Sequence, residues 1–250
     1  MSNWALNLLA PLLKAHTLDL MLSERIGKAG AVTAAELAAW QRVESDILRT
    51  IETQAAGPFQ SFSQFAAQTE SGAIRRFPSI NQGDGLAYLR AFTPDLILSI
   101  RFGQIFKPPA IGIPRLGIVN LHSGILPEYR GVLATFWALL QGEKEIGCTL
   151  HYVTDDTIDT GAIIDMHRLP VNTRHSLAWH IMQLYAGSVP MIASALRQFA
   201  TGEFIATLPQ KREKGSYFTY PAQADVDRFL QNKHLYKDSD YLVLLARYGL

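Results

Sequence analysis

Two short apolar runs constrain the sheet this chain can build. Leu96 to Ile100 follows a helical stretch closed by Thr93-Pro94, and Gly117 to Leu121 comes soon after it. Neither run alternates apolar with polar residues, as a strand with one wet face would. Continuous runs of this length suit central parallel strands covered by helices. In open sheets of that kind ligands gather outside the carboxyl ends of the strands, so the polar residues where the second run ends are the first place to look for chemistry.

The remaining segments supply the cover. Leu6, Leu9, Leu12 and Leu13 recur near helical spacing within Trp4 to Lys14, and Leu18 to Leu22 suits a short buried strand. A helix is expected over Ala31 to Thr53, with Thr33 as N-cap and Glu36 in the capping-box position. Shorter helices are expected over Ser63 to Gln68 and Gly83 to Phe92, the latter stopped by Thr93-Pro94. Thr135 to Leu140 reads as a helix, and Cys148 to Val153 with Ala162 to Leu169 as a hairpin joined by the Thr154 to Gly161 loop. Pro190 should kink or divide the long helical region from Ser176 to Ala200. A strand near Tyr217 to Thr219, a helix from Ala224 to Gln231 and an apolar tail from Tyr241 to Tyr248 follow. The expected class is α/β: a Rossmann-like, mostly parallel open sheet with flanking helices. Residues 1–205 would form the main domain and 206–250 a short C-terminal extension.

The second run ends in Asn120-Leu121-His122, followed by Leu126-Pro127-Glu128-Tyr129-Arg130-Gly131, and Asp159-Thr160-Gly161 lies in the hairpin loop. Asn120 and His122 alternate along one strand end and therefore share a face. An amide donor, an imidazole and a carboxylate suit acyl transfer to an amine, which needs a donor for a developing oxyanion and an acceptor for the amine proton. Taken singly, each residue also fits a plainer role: Asn120 capping a turn, His122 satisfying loop backbone, Asp159 opening a turn before Gly161.

The ordered N-x-H, LP-x-Y-R-G and D-T-G set resembles the signature of the folate-dependent formyltransferases, over about Thr93 to Leu169 and more loosely over most of the chain. That resemblance implies a catalytic triad of Asn120, His122 and Asp159 and, as formyl donor, 10-formyltetrahydrofolate, with no metal. It also implies that Phe102, Gln104, Ile105 and Phe106, in the stretch beginning at Arg101, hold the pterin ring, and that Asp155, Asp156 and Thr157 form the loop closing around it. Arg130 would fix its loop or reach a substrate phosphate. The chain departs from the family pattern at Gly124, where many members have serine, and at its N-terminus, where the family's first strand is missing from the expected order. A closed β-barrel of the kind appended in the tRNA-specific members does not fit into the residues after Leu208.

Charge bears on the acceptor. The 250 residues carry a formal net charge of +1, and the one short basic cluster is Lys211, Arg212 and Lys214, so no broad face for nucleic acid is expected. The leading expectation is a small-molecule amine, an aminosugar nucleotide foremost. The alternatives are hydrolysis, as in formyltetrahydrofolate deformylase, and a non-catalytic folate- or nucleotide-binding homologue. No membrane association is expected, because the apolar stretch Trp4 to Leu13 is short and no basic segment precedes it. Cys148 is the single cysteine, consistent with a cytoplasmic protein, and reads as a small buried hydrophobe. His151 and His167 fall on neighbouring expected strands and read as packing or cleft-lining residues. The apolar tail would seal either the core or a homodimer interface.

Overall fold

The computed structural model describes residues 2–23, 34–54 and 59–247. In chain order the elements before the central sheet are α1 (Ser2–Leu13), β1 (Leu20–Met21), α2 (Ala35–Gln54), α3 (Phe62–Ala66), β2 (Ile74–Arg75) and α4 (Gly83–Phe92). Then come β3 (Ile97–Ile100), α5 (Pro108–Ile111), β4 (Ile118–His122), β5 (Tyr129–Gly131), α6 (Ala134–Gln141), β6 (Glu145–Val153) and β7 (Ile163–Pro170). The chain continues through α7 (Leu177–Thr201), β8 (Ser216–Phe218), α8 (Gln223–Leu230) and α9 (Asp238–Arg247).

The central sheet has the order β3-β4-β6-β7. β3 and β4 run parallel, as their apolar runs require, and the β6–β7 hairpin joins antiparallel to β4. Two small parallel pairs stand apart from it, β1 with β2 and β5 with β8. Open sheets with flanking helices give the α/β class expected, but the central sheet is mixed rather than mostly parallel: of its three pairings only β3–β4 is parallel, because β6 and β7 form a hairpin, while the two separate pairs are both parallel.

The main core lies where α1, α6 and α7 meet the central sheet, through residues such as Trp4, Phe136, Leu150 and Leu184. Val226, Phe229, Leu235 and Tyr241 belong to the same cluster, so residues beyond 205 complete this core. A smaller cluster, centred on Ile80, Leu89, Phe106 and Ile118, lies on the opposite face of the sheet, where Ile97 and Ile118 alternate with the Leu98 and Val119 of the main core.

Local chemistry explains most boundaries. Thr93 closes α4 in the left-handed conformation at φ 48° with its N–H on the Leu89 carbonyl, one residue before proline forbids continuation. Ser61 caps α3 in a reciprocal capping box with Gln64. Thr33, the expected cap of α2, lies outside the described residues.

Of the two outcomes expected at Pro190, a kink or a division, division does not occur: α7 runs unbroken from Leu177 to Thr201. Buried residues before it (Leu184, Tyr185, Ser188) and after it (Met191, Ile192, Ala195) hold both halves against the fold, and this packing outweighs the lost backbone bond. The Tyr241 region, expected as an apolar tail sealing the core or a dimer interface, is helical and part of α9. Tyr241 is buried, accepts a hydrogen bond at its hydroxyl from Trp40 Nε1 at 2.8 Å, and seals the core.

Candidate active site

Register brings the site together. β4 carries Asn120 and His122 on one face at the sheet's carboxyl edge, and β6 lies antiparallel beside it with His151 directly opposite Asn120. Asn120 Nδ2 stands 3.1 Å from His151 Nε2. The β6–β7 ladder shifts register between Leu150 and His151, the local irregularity by which a bulge re-aims a side chain.

Asp159 reaches both histidines from the hairpin loop. Its Oδ2 is 3.4 Å from His122 Nδ1 and its Oδ1 is 3.5 Å from His151 Nε2. The backbone N–H of Gly131 donates to Asp159 Oδ2 at 2.8 Å, a bond that links the LP-x-Y-R-G segment to the D-T-G loop. Asp159 adopts φ 55°, a left-handed conformation that aspartate tolerates better than most residues. Gly161 follows where any side chain would run into the Tyr152 carbonyl. Gln210 holds the loop from the other side, donating from Nε2 to the carbonyls of Asp159 (3.1 Å) and Gly161 (2.6 Å).

The carboxylate's charge follows from this setting. Burial pushes the Asp159 carboxyl upward, but the charge of His122, the hydrogen bond and charge of His151 and the Gly131 N–H outweigh it and bring the pKa down to about 2. A depressed carboxyl contributes stability that is fully present above the ordinary aspartate value of about 3.9 and is lost as pH falls through the folded value. Acid unfolding followed by circular dichroism should therefore be steeper for the wild type than for Asp159→Asn between about pH 4 and about pH 2. Superimposable acid limbs would show that Asp159 is not held in this way.

His122 is committed on both nitrogens. Nε2 is 2.6 Å from the Tyr129 carbonyl and Nδ1 faces the Asp159 carboxylate. Both neighbours are acceptors, so the doubly protonated ring satisfies the pair best. His151 Nδ1 donates to the Tyr152 carbonyl at 2.8 Å, so its Nε2 either accepts one N–H of Asn120 or, when protonated, donates to Asp159; in both cases Asn120 keeps an N–H for an incoming carbonyl oxygen.

Gly124 has a steric reason to be glycine. A Cβ there would stand 2.7 Å from His122 Nε2, 2.7 Å from the Tyr129 carbonyl oxygen and 2.6 Å from Ala134 Cβ. Gly124→Ser should displace the imidazole and break its contact with Tyr129, lowering turnover on the order of tenfold or more through misplacement. The histidine proton resonances would report the shift; unchanged resonances and turnover would contradict it.

The other expected site residues fall around this cluster unevenly. Asp155 accepts hydrogen bonds from the Thr157 N–H (2.8 Å) and hydroxyl, and pairs with Arg212 at 3.5 Å, so the basic cluster at 211–214 meets the acidic loop. The Thr157 bonds, more than Arg212, hold the Asp155 carboxyl below its usual value. Asp156 and Thr157 are exposed. Gln104 is spent on structure, its Oε1 accepting from Ile80 N at 2.8 Å and its Nε2 donating to the Phe77 carbonyl at 2.9 Å. Phe102 and Phe106 stack on each other with centroids 5.4 Å apart and pack in the smaller core, whereas Ile105 is exposed. Arg130 makes one long bond, 3.5 Å from Nη2 to the Gly215 carbonyl. Cys148 is fully buried, and burial pushes its thiol up to about 12, which removes it as a nucleophile at neutral pH. His167 packs against Gly187 of α7, apart from the site.

Sequence reasoning read His151 as a packing or cleft-lining residue without joining it to the cluster, and missed Gln210. His151 was visible as a polar residue on a buried strand, but only the β4–β6 register sets it opposite Asn120. Gln210 lies far along the chain and carries no motif.

Comparison with known proteins places this geometry. The sequence profile described as Formyl transferase matches residues 52–183. The methionyl-tRNA formyltransferase of Synechococcus sp. (strain JA-3-3Ab) is 31% identical over 148 residues, which covers 59% of this chain and 44% of that protein; the chain thus spans less than half of that relative's length. Among solved structures, the formyltransferase PseJ from Anoxybacillus kamchatkensis, in complex with UDP-4,6-dideoxy-4-formamido-L-AltNAc and tetrahydrofolate, superposes with a TM-score of 0.53 at 20% identity, covering 86% of this chain and 90% of that one. A 4-N formyltransferase from Francisella tularensis gives a TM-score of 0.52 at 18% identity, covering 82% and 77%. These two share the fold. The profile spans more than half of the residues, and the chain belongs to the formyl transferase family.

Proposed function

We propose that this protein transfers a formyl group from 10-formyltetrahydrofolate to the primary amine of a small substrate, by direct attack and without a covalent enzyme intermediate. The observation that carries this reading is the convergence of Asn120, His122 and Asp159 at the end of β4, with His151 completing the cluster. The bound donor supplies an activated formyl carbonyl. The free N–H of Asn120 donates to its oxygen as negative charge develops there, and the protonated His122 ring adds a fixed positive charge beside it. Asp159 orients both imidazoles and accepts the proton lost by the attacking amine, directly or through water, before it passes to the departing tetrahydrofolate nitrogen. The segment around Ile105 and the Asp155–Thr157 loop would hold the pterin, with Gln104, Phe102 and Phe106 fixing the shape of the first.

An aminosugar nucleotide is the acceptor favoured. The net charge of +1 and the pairing of Arg212 with Asp155 leave little to attract a polyanionic partner. The methionyl-tRNA relatives supply the competing acceptor. The test is to incubate the protein with 10-formyltetrahydrofolate and a panel of nucleotide-linked aminosugars, simple amines and methionyl-tRNA, and to follow gain of one formyl group by mass spectrometry. Formylation of an aminosugar nucleotide is the expected result. Formylation of the tRNA alone would overturn the acceptor, and formate release without any amine would make the enzyme a deformylase.

A further inference from the structure

The stretch that follows β3 is held from outside itself. Arg101 leaves the strand at φ 54°, a left-handed conformation that long side chains seldom adopt and that persists only where its surroundings fix it. Because β3 and β4 run parallel with Ile100 opposite Leu121, the next residues emerge at the same carboxyl edge as Asn120 and His122. Residues 102–107 lie in neither a helix nor a strand, so no ladder sets their path.

Two amide side chains set it instead. Gln104 reaches across to the 77–82 loop, and Asn81 reaches back from that loop. Asn81 Nδ2 donates to the Ile105 carbonyl at 2.8 Å, and its Oδ1 accepts from the Lys107 N–H at 2.7 Å. With the two bonds of Gln104, to Ile80 N and the Phe77 carbonyl, four bonds of 2.7–2.9 Å tie the loops together. The 77–82 loop is a firm base: Ile80 is buried in the smaller core, and Gly85 of α4 packs so closely on the Ser79 carbonyl that a Cβ would stand 2.2 Å from its oxygen.

The two bonds of Asn81 bracket Phe106. Burial in the smaller core fixes Phe106, but Ile105 is 49% exposed and has no such anchor; the bond from Asn81 to its carbonyl fixes it. A half-exposed isoleucine held still at the ligand edge of the sheet is preorganised to pack on the apolar face of a ring. The clamp calls for an amide, because one side chain must donate to a carbonyl and accept from an N–H at once.

We propose that Asn81 is a positioning residue for the formyl donor, acting through Ile105, whose side chain packs on the folate ring. This rests on the proposed function, with a reduced folate as donor. Asn81→Ala removes both bonds. Asn81→Asp keeps the acceptor for the Lys107 N–H, loses the donor to Ile105 and sets two oxygens against each other.

Equilibrium binding of 5-formyltetrahydrofolate, a stable isomer of the donor, tests the role without an acceptor. Asn81→Ala and Asn81→Asp are each expected to raise Kd about tenfold with native circular dichroism, the scale of one or two hydrogen bonds lost at a part-exposed site. Ile105→Ala should raise it similarly, and Asn81→Ala combined with Ile105→Ala should bind no more weakly than Ile105→Ala alone, because both act through one contact. Losses that multiply in the double variant, or wild-type affinity in folded Asn81→Ala, would overturn the positioning role while leaving folate binding intact. Loss of folding in both Asn81 variants would overturn it as well, since Asn81 would then hold the fold rather than the ligand. An absence of binding by the wild type would overturn the folate reading and this inference with it.

Discussion

Asp159→Asn is expected to lower turnover by about 10²–10⁴-fold while the protein remains folded, and Asn120→Ala to lower it by about 10²–10³-fold. Asparagine keeps the size of the side chain, tolerates the left-handed backbone at this position, and still offers an oxygen to the Gly131 N–H. It removes the negative charge that His122 and His151 face, and with it the proposed acceptor for the amine proton. The loss should fall on kcat rather than KM, because in the proposed mechanism the carboxylate acts as the proton moves and not in binding the acceptor. Steady-state kinetics of the two variants beside the wild type, with circular dichroism as the folding control, decide it. Near-wild-type turnover in folded Asp159→Asn would remove the carboxylate from the chemistry.

The second large effect concerns stability. Phe229→Ala should cost about 3–5 kcal/mol in denaturant unfolding, the usual range for truncating a buried phenylalanine. Phe229 lies on α8, is 1% exposed and stacks on Phe136 of α6 with centroids 4.5 Å apart. A cavity there opens in the cluster that also backs β6, so the residues past 205 are stabilising parts of the main fold. A cost below about 1 kcal/mol would instead mean that α8 packs too loosely to matter to the core.

These two predictions separate what the sequence made legible from what it did not. The apolar runs at β3 and β4 announced buried parallel strands, although β3 lies at the edge of its sheet rather than in the centre, and Asn120 and His122 were singled out because an open sheet places its ligands at such ends. Asp159 was found through its tripeptide. His151 was legible only as a packing or cleft-lining residue, because its contact with Asn120 depends on which residue of β6 falls opposite, a long-range register that local periodicity does not encode. Gln210 escaped for the same kind of reason, its two bonds crossing some fifty residues of chain. Gly124 looked like an anomaly within the motif, and the structure shows why it is needed: His122, Tyr129 and Ala134 leave no room for a side chain. Pro190 shows the reverse case, where packing on both sides of α7 overrides a local preference that the sequence displayed openly.

The most direct test of the central claim is a paired single-turnover experiment, with enzyme in excess over 10-formyltetrahydrofolate and a nucleotide-linked aminosugar present. Tetrahydrofolate and formylated product are measured together for the wild type and for Asn120→Ala. Equal amounts of the two products, formed by the wild type and suppressed about 10²–10³-fold in the variant, are the predicted result. Tetrahydrofolate without formylated amine, or equal rates in the two proteins, would contradict formyl transfer at the Asn120–His122–Asp159 site.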